Sequence, residues 1–113
     1  MIHSYKELTV WQRSIELVVA LYKLTEGFPK EEIYGLTAQM RRSAISIPSN
    51  IAEGRFRSTR KDFLNFINIA YASGAELETQ VEIAKRLPKT KNLEYSKVDV
   101  LLNEVMRMLN TMS

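Results

Sequence analysis

Residues 43–63 read "SAISIPSNIAEGRFRSTRKDF": the stretch starts as an amphipathic helix, meets a proline and ends in a burst of basic residues. Ile47 and Ile51 lie on either side of Pro48, and both keep the helical spacing of apolar residues that starts upstream. Pro48 has no amide hydrogen and clashes with the carbonyl of Ala44, at a cost of about 3 kcal/mol in a helix interior. Because the apolar spacing is unshifted across the proline, we expect a helix that is kinked at Pro48 and does not stop at Ile47.

A stripe of polar, mostly uncharged side chains follows the same helix beside its apolar row. Its members are Gln39, Ser43, Ser46, Asn50 and Glu53. Such a stripe is typical of a partly buried hydrogen-bonded seam or of an interface, because Lys and Glu dominate a freely solvated surface. Ser46, Ser49 and Asn50 also carry donors for the carbonyl that Pro48 leaves without its amide partner.

Helical periodicity covers the rest of the chain as well. Apolar residues at three- and four-residue spacing predict helices over about residues 9–26, 31–53, 59–87 and 96–112. No strand-like alternation of useful length interrupts them. Because the connections are only about four to seven residues long, neighbouring helices are expected to be antiparallel. The sequence therefore predicts an all-α, up-down-up-down four-helix bundle that forms a single domain over residues 1–113.

In the second, third and fourth helices, one apolar row is predicted to face the core. The rows are Leu36, Met40, Ala44, Ile47 and Ile51; Phe63, Ile67, Ala70, Gly74, Leu77, Val81 and Ala84; and Val98, Leu101, Leu102, Val105, Leu109 and Met112. The small residues of 70–75 are expected to let another helix approach closely. Thr59 with Asp62, and Ser96 with Asp99, have the spacing of capping boxes at two helix starts.

The first helix has two apolar rows, although a single core needs only one. One row is Leu8, Trp11, Ile15, Val18 and Tyr22, and the other is Val10, Leu17, Leu21 and Leu24. Together they cover about 200° of the helix, against the stripe of roughly 100° that one core requires. Either the helix is deeply buried in one bundle, or its extra face packs on another subunit. Trp11 is expected to be buried.

The composition excludes several classes of protein. A chain of 113 residues with 45% hydrophobic and 26% charged residues is globular and not disordered. It has no cysteine, which excludes disulfides and thiolate metal sites. No apolar run is long enough to cross a bilayer, and the N-terminal "MIHSYKELTVWQ" lacks the layout of a signal peptide. We therefore expect a cytoplasmic protein with no membrane association.

Positive charge is concentrated in one segment of the chain. The formal net charge is only +3, but residues 41–61 contain six basic side chains and a single acidic one, Glu53, for a local net charge of +5. The basic residues are Arg41, Arg42, Arg55, Arg57, Arg60 and Lys61. A cluster of this kind attracts polyanions such as RNA or DNA, although exposed basic residues also serve solubility alone.

The run "EGRFRSTRK", residues 53–61, joins the second and third helices. Gly54 is free to adopt the left-handed geometry that ends many helices. Phe56 stands between Arg55 and Arg57, an arrangement suited to phosphate contacts combined with stacking on an exposed base. The alternative is that Phe56 plugs the end of the bundle while the arginines simply face water.

No catalytic or metal-binding constellation is found. The one histidine, His3, lies near the N-terminus, and di-iron bundles need a Glu-x-x-His pair on each of two helices. Glu76, Glu78 and Glu82 fit salt bridging or a solvated face better than carboxylate chemistry. The single glycine of "AEGR" does not make a phosphate-binding loop. We expect no enzymatic activity, no metal and no cofactor.

Several motifs together resemble one protein family. The most specific is "SIPSNIAEG" preceded by "QMRRSAI", and "L-x-V-W-Q", which contains Trp11, adds to it. Over residues 5 to about 84 the chain resembles the bacterial four-helix-bundle proteins first noticed inside intervening sequences of 23S ribosomal RNA genes. The positions that match the family's characteristic residues are Arg41, Arg42, Ser46, Pro48, Asn50, Glu53, Gly54 and Arg57.

The resemblance implies a left-handed bundle that associates into a homopentameric ring. One relative, the accessory variability protein of diversity-generating retroelements, forms a basic pentameric barrel that binds nucleic acid and its reverse transcriptase. Two functions stay open at this point: an oligomer that binds RNA or DNA through residues 41–61, or a scaffold whose ring docks a protein partner.

Overall fold

The computed structural model of the protein describes residues 4–113, and this part of the chain contains helices and no β-strand. The α-helices are α1 (Thr9–Thr25), α2 (Leu36–Arg55), α3 (Arg60–Arg86) and α4 (Ser96–Met112). Short 3₁₀ turns at Tyr5–Glu7 and Lys30–Glu32 precede α1 and α2.

Each α-helix packs against its neighbour in the chain, and α1 closes the arrangement against α4. The most extensive interface joins α2 to α3, which are separated only by residues 56–59. The result is an elongated bundle that measures 46 by 21 by 19 Å. The predicted all-α, up-down-up-down four-helix bundle is confirmed. Its left-handed sense and the kink at Pro48 stay predictions.

Helix α2 runs without interruption through Pro48, which is buried. The helix therefore does not stop at Ile47. The side-chain amide of Asn50 donates to the carbonyl oxygen of Ser46 at 2.8 Å and to its hydroxyl at 2.9 Å. We expected a side-chain donor for the carbonyl of Ala44. Asn50 instead binds Ser46 and stabilises the turn that contains Pro48 in this way.

The start of α2 lies later than the prediction of residue 31. The chain first forms the 3₁₀ turn at Lys30–Glu32 and then passes through Gly35, whose φ of −109° and ψ of −111° are not helical. A proline with two acidic residues in the following turn has the composition of a helix N-terminus, but Pro29 starts only a single turn here. A carboxylate oxygen of Glu32 then lies 3.4 Å from the amide nitrogen of Leu36, at the start of α2.

The apolar rows predicted for α2, α3 and α4 form the core. Their fully buried members include Met40, Ala44, Ile47, Ile51, Ile67, Ala70, Leu77, Ala84, Val105 and Leu109. Leu36, Phe63 and Met112 lie at the ends of these rows and are half-buried. The periodicity of these three helices therefore identified the core correctly.

Helix α1 buries the second of its two apolar rows and leaves the first row at least partly exposed. Its buried side chains are Val10, Ser14, Leu17, Ala20, Leu21, Leu24 and Thr25. Ser14 and Ala20 are small, which lets neighbouring helices approach this side closely. Ile15 and Tyr22 are each 36% exposed. Trp11, predicted to be buried, is only half-buried.

Of the two predicted capping boxes, only that of Thr59 and Asp62 forms its N-cap hydrogen bond. The hydroxyl of Thr59 accepts from the amide of Asp62 at 3.1 Å, which caps α3 as expected. Ser96 does not cap α4, because it is already the first residue of that helix. Its amide instead donates to the carboxylate of Glu94 at 3.1 Å. Asp99 binds Lys85 of α3 at 2.7 Å, so this carboxylate joins α4 to α3.

Gly54 serves close packing and is not a left-handed cap. None of the glycines in residues 4–113 has a positive φ, and Gly54 lies buried inside the last turn of α2. A Cβ atom at this position would lie 3.0 Å from Cβ of Phe66 and 3.3 Å from the carbonyl oxygen of Phe63. Gly54 therefore lets α3 pass close to α2 beside their connection.

Gly74 has the same role between α3 and α4. A Cβ atom there would overlap the sulfur of Met106, which is buried. The close helix approach predicted for the small residues of 70–75 is confirmed at this level.

Replacing Gly54 by Ala is expected to lower the free energy of unfolding by about 1–3 kcal/mol, as overpacking does elsewhere. The obstructing atoms belong to the backbone and a Cβ of α3, so they move only if the helix moves. Gly54→Asn should cost at least as much, although Asn tolerates left-handed geometry. Chemical denaturation measures both variants. A Gly54→Asn protein as stable as the wild type would contradict the packing role.

Candidate nucleic-acid interface

A polar seam fixes α2 against α3. The hydroxyl of Ser43 donates to a carboxylate oxygen of Glu76 at 3.0 Å, and the hydroxyls of Ser46 and Ser73 share a hydrogen bond of 2.8 Å. The hydrogen-bonded seam predicted for the polar stripe of α2 is found at Ser43 and Ser46, whereas Gln39 and Glu53 of that stripe are exposed. Because the two helices are tied along this seam, the corner that joins them is held in place.

Four basic side chains and one aromatic side chain surround this corner. We call Arg55, Phe56, Arg57, Arg60 and Lys61 the basic corner, and all five are exposed. Arg55 ends α2, Arg60 starts α3, and only residues 56–59 separate the two helices. The short connection therefore brings these side chains to the same end of the bundle.

Arg57 is oriented by two neighbours. A guanidinium nitrogen lies 2.8 Å from a carboxylate oxygen of Glu53, and the guanidinium carbon lies 4.6 Å from the ring centroid of Phe66. The side chains of Arg57 and Glu53 remain 43% and 56% exposed, and exposed pairs of this spacing contribute only about 0.3–0.5 kcal/mol. A phosphate can therefore compete for Arg57. Arg60 and Lys61 form no ion pair within residues 4–113.

Phe56 is 77% exposed and does not plug the end of the bundle. Its ring meets Tyr5 edge to face, with ring centroids 5.8 Å apart, and Tyr5 meets Trp11 in the same way at 5.3 Å. The three rings form a continuous aromatic row beside the basic corner. Tyr5 is far from Phe56 in the chain and carries no sequence signal beyond its aromatic type, so its place in this row was not predicted.

Arg41 and Arg42 lie apart from the basic corner. The rise of 1.5 Å per helical residue puts Arg41 about 20 Å along α2 from Arg55. Nε of Arg41 donates to the hydroxyl of Thr25 at 2.9 Å, and its guanidinium carbon lies 4.3 Å from the ring centroid of Tyr22. Arg41 is therefore bound to the end of α1. The structure thus brings together four of the six basic residues predicted for the site.

The acidic residues of α3 mostly serve structural contacts. Glu76 accepts from Ser43, and Glu82 pairs with Arg86 at 2.9 Å. Residues 4–113 contain no group of His, Asp and Glu side chains that could hold a metal ion. His3 lies outside the described residues. None of the helices in the described range has both the length and the apolar character needed to cross a membrane.

These observations define a class: an all-α four-helix bundle with a basic, aromatic corner at one end. The family model of the 23S rRNA-intervening sequence proteins matches residues 6–111, so the chain belongs to that family. Its fold is similar to the crystal structure of a protein of unknown function from the S23 ribosomal protein family of Bacteroides thetaiotaomicron. The two chains are 27% identical with a TM-score of 0.81, over 91% of this chain and 93% of that one. No curated protein matches the chain.

Proposed function

We propose that the protein is a non-enzymatic, cytoplasmic homo-oligomer that binds nucleic acid through the basic corner. The observation that carries this proposal is the exposed ring of Phe56 within a cluster of four basic side chains. Basic side chains contact phosphates whatever the sequence, and an exposed aromatic ring stacks on unpaired bases. The corner combines both kinds of contact at one end of a bundle.

Oligomerisation is supported by the outer face of α1. Trp11, Ile15 and Val18 of α1 line a shallow apolar groove together with Ile45 and Pro48 of α2, and we call these five residues the apolar strip. Ile15 and Ile45 are 36% and 42% exposed in the single chain. Contiguous apolar surface of this kind marks interaction sites. We propose that a second copy of the chain covers this surface, because most soluble oligomers are built from identical subunits.

A closed ring of subunits would gather the basic corners. We propose five subunits, as the resemblance to the family's pentameric members implies. Several copies of the corner at one end of a ring raise the local positive potential, which attracts polyanions over a distance of about one Debye length. Binding is then tolerant of base sequence and sensitive to salt.

Phe56→Ala is expected to weaken binding to single-stranded RNA or DNA by about 1–3 kcal/mol, the usual value of one base–aromatic stack. Duplex affinity should change little, because paired bases do not present their faces. Fluorescence anisotropy with labelled single strands and matched duplexes measures the difference. Ile69→Ala, at an exposed apolar position of α3, is the matched control.

Equal loss on single strands and duplexes would reject stacking but retain the phosphate contacts. No binding of either form at low salt would reject nucleic-acid binding altogether. The alternative function would then apply, in which the ring of subunits docks a protein partner.

A further inference from the structure

The apolar strip continues into a larger groove between the C-terminal end of α1 and the first half of α2. We call it the Arg41 groove, and its volume is about 820 Å³. Ile45 belongs to both surfaces, so the groove and the strip form one continuous face of the bundle. Tyr22 and Ile33 of the groove are 36% and 48% exposed in the single chain. This face therefore extends the surface on which the proposed subunit contact rests.

The Arg41 groove carries unpaired positive charge. Its charged lining residues are Glu26, Lys30, Arg41 and Arg42, three basic against one acidic. Within residues 4–113, neither Arg41 nor Arg42 forms an ion pair with a carboxylate. Nε of Arg41 donates to the hydroxyl of Thr25 at 2.9 Å, so a neutral group holds this side chain beside the groove. The two guanidinium groups are thus available to a carboxylate of another molecule.

A patch of opposite charge lies on the exposed side of α3. It is lined by Glu78, Thr79, Glu82, Ile83 and Arg86, and we call these five residues the α3 patch. Two of them are acidic and one is basic, and Arg86 already pairs with Glu82 at 2.9 Å. Glu78 forms no ion pair in the described part of the chain, and Ile83 is 46% exposed. The patch therefore offers a carboxylate and an apolar side chain to a neighbour.

The Arg41 groove and the α3 patch lie at the same level of the bundle. Helices α2 and α3 are antiparallel, and Ser43 of α2 bonds Glu76 of α3 at 3.0 Å. Arg41 lies two residues before Ser43. Glu78 lies two residues after Glu76, so Arg41 and Glu78 are level. Within residues 4–113, α3 packs on α2 and α4 but not on α1. The groove and the patch therefore open on different sides of the bundle at one height.

A ring of five identical subunits needs two different faces of this kind. Only a two-fold axis lets a patch meet a copy of itself, so each contact in a larger ring joins two different patches of the chain. In the proposed ring the bundles stand along the axis, with the basic corners at one end. Because rotation about that axis preserves height, patches at equal levels meet. The Arg41 groove and the α3 patch satisfy both conditions.

We propose that the Arg41 groove of one subunit receives the α3 patch of the next subunit in the ring. Ile83 packs against the apolar wall of the groove, and the exposed Arg42 pairs with Glu78. Opposite charges at matching positions set the register of such a contact and exclude pairings of like charge. This inference rests on the proposed ring and names the two faces that close it.

Cysteine cross-linking tests the contact, because the chain has no cysteine of its own. Arg42→Cys and Glu78→Cys are made in separate chains, which are co-expressed and treated with a short bismaleimide that spans an arginine–glutamate pair. A covalent dimer is expected from the mixture and from neither variant alone, because each position meets the other one in the ring. No covalent dimer in the mixture would overturn the proposal. A covalent dimer in either variant alone would also overturn it, because it indicates a two-fold contact.

Charge reversal is the second test, made on the full-length oligomer. Arg42→Glu and Glu78→Arg should each raise the subunit dissociation constant at least about tenfold, because each places like charges across the contact. The double variant should assemble at least about fivefold more tightly than either single variant, since the pair is restored with its charges exchanged. Light scattering over a dilution series measures the mass. Arg107→Glu, at an exposed position of α4, is the control and should leave the mass unchanged.

The outcomes separate this contact from the ring itself. A wild-type monomer would overturn the ring and the contact together. An oligomer that shows neither the cross-link nor the gain in the double variant would overturn the contact alone and leave oligomerisation standing. None of these variants changes a residue of the basic corner, so nucleic-acid binding is measured independently.

Discussion

Replacing Arg55, Arg57 and Arg60 together by Glu is expected to reduce affinity for RNA and DNA by at least about 100-fold. Each subunit then loses three phosphate-binding cations and gains three anions at the same corner. Because phosphate contacts supply most of the free energy of non-specific binding, the reversed charges repel the ligand. All three side chains are exposed, so the fold should persist.

The matched control reverses the charge of three lysines at the other end of the bundle. Lys23, Lys91 and Lys97 are exposed near the end of α1 and the start of α4, and their replacement by Glu changes the net charge by the same amount. Anisotropy titration compares the two triple variants, and circular dichroism checks their helicity. Equal losses in both would show that net charge, and not the corner, governs binding.

The second large effect concerns assembly. Ile15→Glu combined with Ile45→Glu is expected to dissociate the oligomer into subunits of 13.0 kDa. The two side chains are partly exposed in the bundle, so their replacement should leave the fold intact. Burying two carboxylates in an apolar interface, however, costs several kcal/mol per ion. Affinity for nucleic acid should fall with the mass, because a monomer presents only one basic corner.

Light scattering at micromolar concentration measures the mass of the oligomer. The control is Asn103→Glu combined with Asn110→Glu on α4, which adds the same two negative charges away from the apolar strip. The wild-type protein should show five times the subunit mass. A wild-type monomer would contradict oligomerisation itself. A dimer would reject only the number of subunits, and an unchanged mass in the double variant would place the interface elsewhere than the apolar strip.

The sequence predicted the fold well wherever a helix has a single apolar row. Each of α2, α3 and α4 has a single apolar face, so only that face can pack into the core. Residues such as Ile47 and Leu77 are fully buried as expected. Helix α1 has two rows of similar length, and periodicity alone does not choose between them. The choice depends on how closely α2 and α4 approach, which Ser14 and Ala20 help to decide.

The candidate site was only partly predictable for two physical reasons. Arg41 and Arg55 belong to one charged segment in the sequence, but the helix between them separates them by about 20 Å. Tyr5 and Phe56 are distant in the chain, and their contact arises from tertiary packing. Gly54 was interpreted from a local rule for helix ends, whereas its role depends on Phe63 and Phe66 of the next helix.

The most direct test of the proposed function is the affinity of the wild-type oligomer for single-stranded RNA across a salt series. If the basic corners contact at least about four phosphates, the logarithm of the association constant should fall linearly with the logarithm of salt concentration, with a slope of about −3 or steeper. A measurable affinity with that slope would support the account. No binding even at about 50 mM salt, or an affinity that does not change with salt, would contradict it.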